Sequence, residues 1–316
     1  MPTNQPMTQR VAVIGECMLE LKGEAFGAMT QGYGGDTFNT AVYLRRCGAA
    51  AGIEVAYATA LGEDGLSTGL IGRWQAQGLD TSLVSRIAGR MPGLYMIEVD
   101  GRGERSFHYW RDSAAARDLF SEPGAAETRA ALEADDLVYV SGISLSLYGE
   151  AGRAALAETL AALRARGGRV AFDTNYRPRG WPDWEVARAA FRAALAQADL
   201  IFASVEDLDW LFGEAGDEEV LRHRGRAEIV LKTADGPVPV ARVLHGTSDM
   251  KVPAGPVDRV VDTTAAGDSF AAGYLAARIA GLAPEAAAAE AHRLAGAVIG
   301  HRGAVIPREA MPALAF

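Results

Sequence analysis

Short runs of β-branched and apolar residues alternate with longer alanine- and leucine-rich segments along most of this chain. The runs lie at 11–15, 55–61, 136–142, 169–174, 199–204 and 228–233. The segments between them carry leucines at helical spacing, and the one at 150–168 ends in two glycines. This alternation predicts an α/β fold, with a doubly wound, mostly parallel sheet and helices on both faces.

Two stretches, 18–34 and 93–111, do not follow this alternation. Both look extended, and the second is typical of a hairpin, with GLYMIEV and RSFHYWR joined by the turn DGRGE. Neither is followed by a helix of its own kind. We therefore expect a single domain over 1–316 with a small, discontinuous β-sheet that closes over a substrate as a lid and excludes water.

The ends of the predicted strands carry polar residues. Asp173, Ser204, Lys232 and Asp262 fall at or just past the ends of strand-like runs. In open α/β sheets, ligands bind beyond the carboxyl ends of the strands. The sequence therefore predicts that these strand ends share one site.

Composition and missing motifs exclude several function classes. The chain has 316 residues and a net charge of −9 without a basic block, which argues against general nucleic-acid binding. No run approaches the ~20 apolar residues of a membrane span. GxxxxGK[ST], a GxGxxG after the first strand and HExxH are absent. The polar first ten residues and two cysteines without CxxC spacing indicate a cytoplasmic protein.

The stretch VVDTTAAGDSF places small residues directly before an aspartate, Asp268. Apolar periodicity after this aspartate predicts a helix, so the amides of Ala265, Ala266 and Gly267 would lie at its N-terminus and form an anion site. Asp268 would then lie beside the anion. This arrangement suits deprotonation of an alcohol that attacks a phosphoryl group, whose charge the amides stabilise.

A second glycine-rich stretch, GYGGDTFNTAVYLRRCG, occupies 32–48. Gly34 and Gly35 let a backbone approach a ligand closely, and Asp36 and Asn39 offer polar contacts at the start of a helix. Taken alone, a plain glycine turn with a capping side chain explains this stretch equally well.

Together the two motifs resemble those of the ribokinase-like (PfkB) family of carbohydrate kinases. LGEDGLSTGLIGRWQAQGLDTS is similar to a further block of that family, and the similarity extends over about 11–307. The family's late motif is usually Gly-Ala-Gly-Asp. This chain has alanine for the first glycine, a small departure because alanine leaves the amide free. GECMLEL, GGDTFNTAVYL, DTNYRPRGW, DTTAAGDSF and HRGAVIPREAMP are most similar to the family's 2-keto-3-deoxygluconate kinase branch.

The resemblance implies a role for each matching residue. Asp268 would be the catalytic base, and Ala265, Ala266 and Gly267 would supply the anion-binding amides. The residues that would hold the sugar are Gly34, Gly35, Asn39, Tyr95, Tyr109, Arg111, Asn175 and Arg177. A sugar acid also needs a cation, and a guanidinium can bind a carboxylate at two points, which favours the two arginines as its partners.

The resemblance also implies ATP and Mg²⁺. The residues that would contact the nucleotide are Ser204, Lys232, Thr233, Asp235 and Gly236. The family's Asn-x-x-Glu motif, which orders water around magnesium, here reads Ser-Val-Glu-Asp. Glu206 and Asp207 are therefore both candidates for a magnesium contact through water, and the sequence leaves the choice between them open.

The predicted function is phosphorylation of 2-keto-3-deoxygluconate by ATP to give the 6-phospho compound. A fructokinase or another neutral-sugar kinase is the first alternative, and the two arginines argue against it. A non-catalytic sugar- or nucleotide-binding regulator is the second, and an intact Asp268 argues against that. The sequence does not separate the gluco from the galacto epimer. The open edges of the lid predict a homo-oligomer that pairs through this sheet.

Overall fold

The computed structural model describes residues 9–99, 105–121, 124–233, 236 and 238–316. Its strands are β1 (Gln9–Ile14), β2 (Met18–Gly23), β3 (Met29–Gly34), β4 (Ile53–Leu61), β5 (Val84–Arg86), β6 (Leu94–Val99), β7 (Arg105–Trp110), β8 (Leu137–Ser141), β9 (Arg169–Asp173), β10 (Leu200–Ser204), β11 (Glu228–Thr233), β12 (Val240–His245) and β13 (Ser248–Pro253). Its helices are α1 (Asp36–Gly48), α2 (Gly65–Ala76), α3 (Ala125–Glu133), α4 (Gly142–Leu147), α5 (Glu150–Ala165), α6 (Trp184–Gln197), α7 (Val205–Phe212), α8 (Gly216–Leu221), α9 (Ala266–Ile279) and α10 (Pro284–Ile299).

Nine strands form the main sheet, in the order β13-β12-β11-β10-β9-β8-β1-β4-β5. Neighbours from β11 to β5 are parallel, whereas β12 and β13 add an antiparallel hairpin at one edge. All six predicted runs are strands of the parallel part. The predicted fold class is therefore confirmed, and the edge hairpin is an addition that the sequence pattern did not show.

Helices cover both faces of the main sheet. Val11 and Val13 of β1 pack into one apolar cluster with residues of α1, α9 and α10, whereas Ala12 and Ile14 pack into a second cluster with residues of α5, α6 and α7. Successive side chains of a strand point to opposite faces, so the two clusters are the two cores of a doubly wound sheet. The helices reach these cores through residues at helical spacing.

A smaller sheet stands apart from the main one, in the order β3-β2-β6-β7. β2 pairs parallel with β6, and the two outer pairs are antiparallel. This sheet corresponds to the extended stretches predicted at 18–34 and 93–111, although the predicted turn at 100–104 lies outside the described residues. Among the described helices, none is long and apolar enough to cross a membrane.

Candidate active site

The two glycine-rich motifs meet where α1 packs against α9. Asn39 Nδ2 donates to Asp268 Oδ2 at 2.9 Å, across 229 residues of sequence. Thr40 Oγ1, one residue later on α1, donates to the backbone carbonyl of Asp268 at 3.4 Å. Asn39 Oδ1 is buried and has no hydrogen-bond partner within the described residues, so a polar acceptor faces the site next to the predicted base.

The turn before α9 has the backbone geometry of an anion site, with one strained residue. Ala265 caps the helix at φ +62, in the left-handed region, where an L-residue costs roughly 1–2 kcal/mol relative to glycine. The alanine is therefore a larger departure from the family's glycine than the sequence suggested. The amide of Ala266 donates to Thr263 O at 3.2 Å. In the described part of the chain, the amides of Ala265 and Gly267 have no backbone acceptor.

Gly267 lies at the open side of this turn. Its φ is not in the left-handed region, and a Cβ added there would meet only Lys232 Nζ, at 3.8 Å. The fold therefore does not require glycine at this position. A ligand that approaches the helix N-terminus does, since a side chain would occupy the same space.

The surroundings of Asp268 make it a stronger base than an ordinary aspartate. Burial, together with the negative charge of Asp36, raises the pKa of Asp268 to about 8, although the hydrogen bond from Asn39 opposes the shift. A carboxylate with a pKa near the working pH is well matched to proton abstraction from an alcohol.

The glycine pair before α1 has two distinct roles. A Cβ on Gly34 would lie 3.4 Å from Tyr95 Oη and 4.0 Å from Asn39 Oδ1, so this glycine keeps space open between the small sheet and the site. A Cβ on Gly35 would lie 2.0 Å from the carbonyl oxygen of Glu16. Gly35 is therefore required by the close passage of the chain's own backbone, and its contact with a ligand stays a prediction.

Asn175 also lies at this site, directly after β9. Its Nδ2 donates to Asp36 Oδ2 at 2.8 Å, and Ser141 Oγ donates to the same oxygen at 2.6 Å. The sequence pattern offered Asp36 as a polar contact at the start of α1 but did not place it among the site residues. Its position beside the glycine pair was the available signal.

Comparison with known proteins decides the family. The pfkB family of carbohydrate kinases matches residues 8–311. The chain belongs to this family. It is 45% identical over 311 residues to the 2-dehydro-3-deoxygluconokinase of Dickeya dadantii, covering 97% of this chain and 99% of the relative. It is 43% identical to the Escherichia coli K12 protein of the same name, covering 97% and 100%.

More distant relatives include fructokinases. The Klebsiella pneumoniae fructokinase is 31% identical over 98% of this chain and 97% of its own length. The crystal structure of the Xylella fastidiosa fructokinase with bound ATP has a TM-score of 0.80 at 25% identity, covering 98% of this chain and 96% of that one. The predicted resemblance is thus confirmed over nearly the whole chain.

In this pfkB kinase, both predicted arginines lie beside acids. Arg111 Nη2 forms an ion pair with Glu16 Oε2, where the chain crosses between the main sheet and the small sheet. Glu16 is buried, which raises its pKa although Arg111 opposes this. Arg177 Nη1 lies 3.6 Å from Asp207 Oδ1 and has a side chain that is 57% exposed. Glu16 was missed in the sequence, which gives no sign of a partner 95 residues away.

The two predicted tyrosines share one face of the small sheet. Tyr95 and Tyr109 are directly opposite on β6 and β7, and their rings stack with centroids 6.1 Å apart. The hydroxyl of Tyr95 donates to Glu20, and Tyr109 is 50% exposed. Since Tyr95 also faces Gly34, this aromatic face looks onto the sugar side of the site.

The predicted nucleotide residues follow β10 and β11. Lys232 Nζ pairs with the buried Asp173, 3.2 Å from Oδ2, and lies beside Gly267. Ser204 Oγ accepts a hydrogen bond from the backbone N–H of Asp207 at 3.1 Å and so caps α7. Thr233 follows Lys232 at the end of β11, and Gly236 is exposed. Asp235 lies outside the described residues.

The two candidate magnesium residues differ in their positions. Asp207 is buried, and its Oδ2 accepts from Thr174 Oγ1 at 2.8 Å, whereas Glu206 is exposed. Burial raises the pKa of Asp173, and the charge of Asp207 adds to this shift although Lys232 opposes it, so the two carboxylates are close enough to interact. Carboxylate oxygens suit Mg²⁺. Among the described residues, no three acids, histidines or cysteines are grouped so that they could hold a metal ion by themselves.

Proposed function

We propose that this chain transfers the γ-phosphoryl group of ATP to the terminal hydroxyl of 2-keto-3-deoxygluconate, which is 2-dehydro-3-deoxygluconate by its other name. The products are the 6-phospho sugar acid and ADP. The observation that carries the proposal is identity of 45% and 43%, over nearly full length, to two proteins named for this activity. The identity to a fructokinase is lower, at 31%.

The site supports a direct in-line transfer. Asp268 accepts the proton of the sugar's terminal hydroxyl, and that oxygen forms a bond to the γ-phosphorus. The bond from the γ-phosphorus to the oxygen bridging to the β-phosphate breaks, and ADP leaves. The free amides at the start of α9 and its helix dipole stabilise the charge on the transferred group. Asn39 orients Asp268 through its hydrogen bond.

The nucleotide and its metal ion would be held by residues at the ends of β9, β10 and β11. Asp207 would hold Mg²⁺ through water, and Asp173 adds a second buried carboxylate nearby. When bound, the ion would neutralise part of the negative charge of the ATP phosphates. Lys232, beside the turn of α9, brings a cation to the same phosphates.

The substrate carboxylate would meet the two arginines. Arg111 Nε is buried and has no acceptor among the described residues, although Nη2 of the same side chain is paired with Glu16. Arg177 is more exposed, and its contact with Asp207 is longer. Each guanidinium therefore keeps N–H groups that a carboxylate could accept from.

The small sheet is proposed to act as a lid, with the face that carries Tyr95 and Tyr109 closing over the sugar. Its β3 and β7 edges are unpaired in the sheet order, which supports pairing with a second copy of the chain as a homo-oligomer. The two free cysteines, Cys17 and Cys47, are compatible with the reducing cytoplasm that we propose as its compartment.

An ADP-release assay across sugar acids and neutral sugars tests the function. We expect the highest kcat/KM with 2-keto-3-deoxygluconate, and Asp268→Asn serves as the control for contaminating kinases. A preference for fructose would establish the neutral-sugar alternative. Nucleotide and sugar binding without turnover, in wild type and Asp268→Asn alike, would establish the non-catalytic regulator.

A further inference from the structure

A carboxylate with no assigned role lies in the sugar site. Asp36 is the first residue of α1, directly after the glycine pair. Its Oδ2 accepts hydrogen bonds from Ser141 Oγ at 2.6 Å and from Asn175 Nδ2 at 2.8 Å. Ser141 ends β8 and Asn175 follows β9. One acid of α1 therefore connects two strand ends of the main sheet.

The two donors differ in how firmly they are held. Ser141 is buried, and its hydroxyl oxygen also accepts a hydrogen bond from the backbone N–H of Ser144 at 3.2 Å, while Ser144 Oγ donates to Ile14 O at 2.9 Å. Asn175 has φ +29, in the left-handed region, which asparagine adopts more readily than most residues other than glycine. Asp36 is thus anchored through Ser141 and in turn fixes the side-chain amide of Asn175.

Asp36 also adds negative charge to the end of the site where the phosphoryl group is accepted. Its charge has the largest effect of any neighbouring charge on Asp268. The two arginines lie elsewhere, Arg111 beside Glu16 and Arg177 beside Asp207. Once Asp268 is deprotonated, an anionic group placed between Asp36 and Asp268 would meet two like charges, and the cation that acts on Asp268, Lys232, is already paired with Asp173.

We propose that Asp36 is a positioning residue that sets the direction in which a sugar acid enters the site. It holds Asn175 ready to bond the sugar's hydroxyls, and together with Asp268 it repels a carboxylate from the reacting end. The uncharged hydroxyl end therefore lies against Asp268 and the carboxylate points away. The orientation rests on the sugar-acid substrate proposed above, whereas the influence of Asp36 on Asp268 does not.

Two sugar acids test the orientation directly. Gluconate and glucarate share one carboxylate end and differ at the other, which is a hydroxymethyl group in gluconate and a second carboxylate in glucarate. We expect glucarate to compete with 2-keto-3-deoxygluconate at least about tenfold more weakly than gluconate in wild type. In Asp36→Asn the ratio of the two inhibition constants should fall towards one. The new side-chain amide keeps an oxygen that accepts from Ser141 and Asn175, but it has lost the negative charge.

A remote charge removal is the matched control. Glu158→Gln neutralises an acid on α5 whose side chain is 69% exposed, and it should keep the wild-type ratio of inhibition constants. The same ratio in Asp36→Asn as in wild type would overturn the repulsion. If wild type does not turn over 2-keto-3-deoxygluconate, the sugar-acid substrate is wrong and the inferred orientation is wrong with it. If it does so and neither acid competes, the orientation alone is overturned.

The pH dependence tests the electrostatic part with whichever sugar the wild type uses best. Asp268 must be deprotonated to act, so kcat/KM rises with pH, and removing the Asp36 charge should move this rise to lower pH. The titratable groups that face Asp268 are Asp36, Asp173, Lys232, Tyr43 and Tyr139. An unmoved rise in Asp36→Asn, with Glu158→Gln as reference, would contradict the inference.

A double-variant cycle tests the positioning part. Asp36→Ala should raise KM for the sugar by about ten- to a hundredfold, since it releases the Asn175 amide, and Asn175→Ala should do the same. The double variant should lose no more than the worse single variant, because both remove one contact. Additive losses would show that Asn175 does not depend on Asp36 and would overturn the positioning role.

Discussion

The two sides of the cleft are held in different ways. On the base side, α1 and α9 pack on the main-sheet core, and Asn39 and Asp268 meet with a 2.9 Å hydrogen bond. On the lid side, a four-stranded sheet carries large side chains that are half exposed, such as Tyr109 and Trp110. One side is fixed by a buried core, and the other is a thin layer attached at four chain crossings.

This difference separates chemistry from substrate choice. Proton abstraction needs a base held in one place, and the packed helices provide that. A lid, the role proposed for the small sheet, would have to admit and release the substrate, so it would belong to the less stable part of the fold. The ion pair of Glu16 with Arg111 joins the two sides, because it lies where the chain enters and leaves the small sheet.

The largest effect is expected on the base side. Asp268→Asn keeps the size and the hydrogen-bonding ability of the side chain but cannot take a proton, so kcat should fall by about 10²- to 10⁴-fold. Steady-state kinetics at saturating ATP and sugar measure this, with the unfolding midpoint as a check on folding. A variant that keeps more than about a third of wild-type kcat would show that Asp268 is not the base.

The next largest effect concerns the ion pair of Glu16 with Arg111, which lies where the chain crosses between the main sheet and the small sheet. Arg111→Met leaves buried Glu16 without its partner, which should lower the free energy of unfolding by about 3–5 kcal/mol near pH 7. Burial raises the pKa of Glu16, so protonation relieves the unpaired charge and this loss should shrink as the pH falls. Denaturant unfolding at pH 7 and pH 5 measures both.

A second substitution separates the causes. Glu16→Gln with Arg111→Met removes the buried charge and should recover most of the stability. If sugar KM stays raised in this stable double variant, Arg111 contacts the substrate. If KM returns to the wild-type value, Arg111 has only the structural role of pairing with buried Glu16.

A side chain at Gly267, in the turn before α9, should leave the stability of the fold nearly unchanged but should lower the rate of turnover. Gly267→Val places its Cβ in open space beside Lys232, so the unfolding midpoint should change little. Blocking one anion-binding amide should lower kcat by about a hundredfold. A large loss of stability with normal turnover by the folded fraction would mean that the glycine serves only the fold.

The smallest predicted effect is a gain. Ala265→Gly relieves the left-handed alanine that caps α9, and the unfolding free energy should rise by about 1 kcal/mol. Part of the steric gain is offset by the greater freedom of glycine in the unfolded chain. A lower melting temperature in this variant would show that Ala265 is not strained.

The sequence predicted the base side better than the lid side for a physical reason. Strand periodicity and the small-residue turn are local patterns, and parallel strands bring their carboxyl ends together, so the approach of Asp173 to Lys232 was foreseeable. The placement of Asn39 and Asp268 in one site was implied by the family resemblance. The partners of Arg111 and Asp36 lie about a hundred residues away and depend on side-chain directions that no local pattern encodes.

Backbone details escaped prediction for a similar reason. The left-handed φ of Ala265 belongs to the turn that begins α9, and the motif alone shows only that the residue is small. The collision that Gly35 avoids is with Glu16 on a different segment. The edge hairpin of β12 and β13 was missed because its short strands have no helix between them.

The central claim is that a fixed base performs the transfer while arginines select a sugar acid. The most direct test is the ratio of kcat/KM for 2-keto-3-deoxygluconate to that for fructose, in wild type and in Arg177→Lys. Lysine keeps the charge but loses the two-pronged contact, so the ratio should fall about ten- to a hundredfold while fructose turnover is unchanged. An equal loss with both sugars, or a wild type that prefers fructose, would contradict the account.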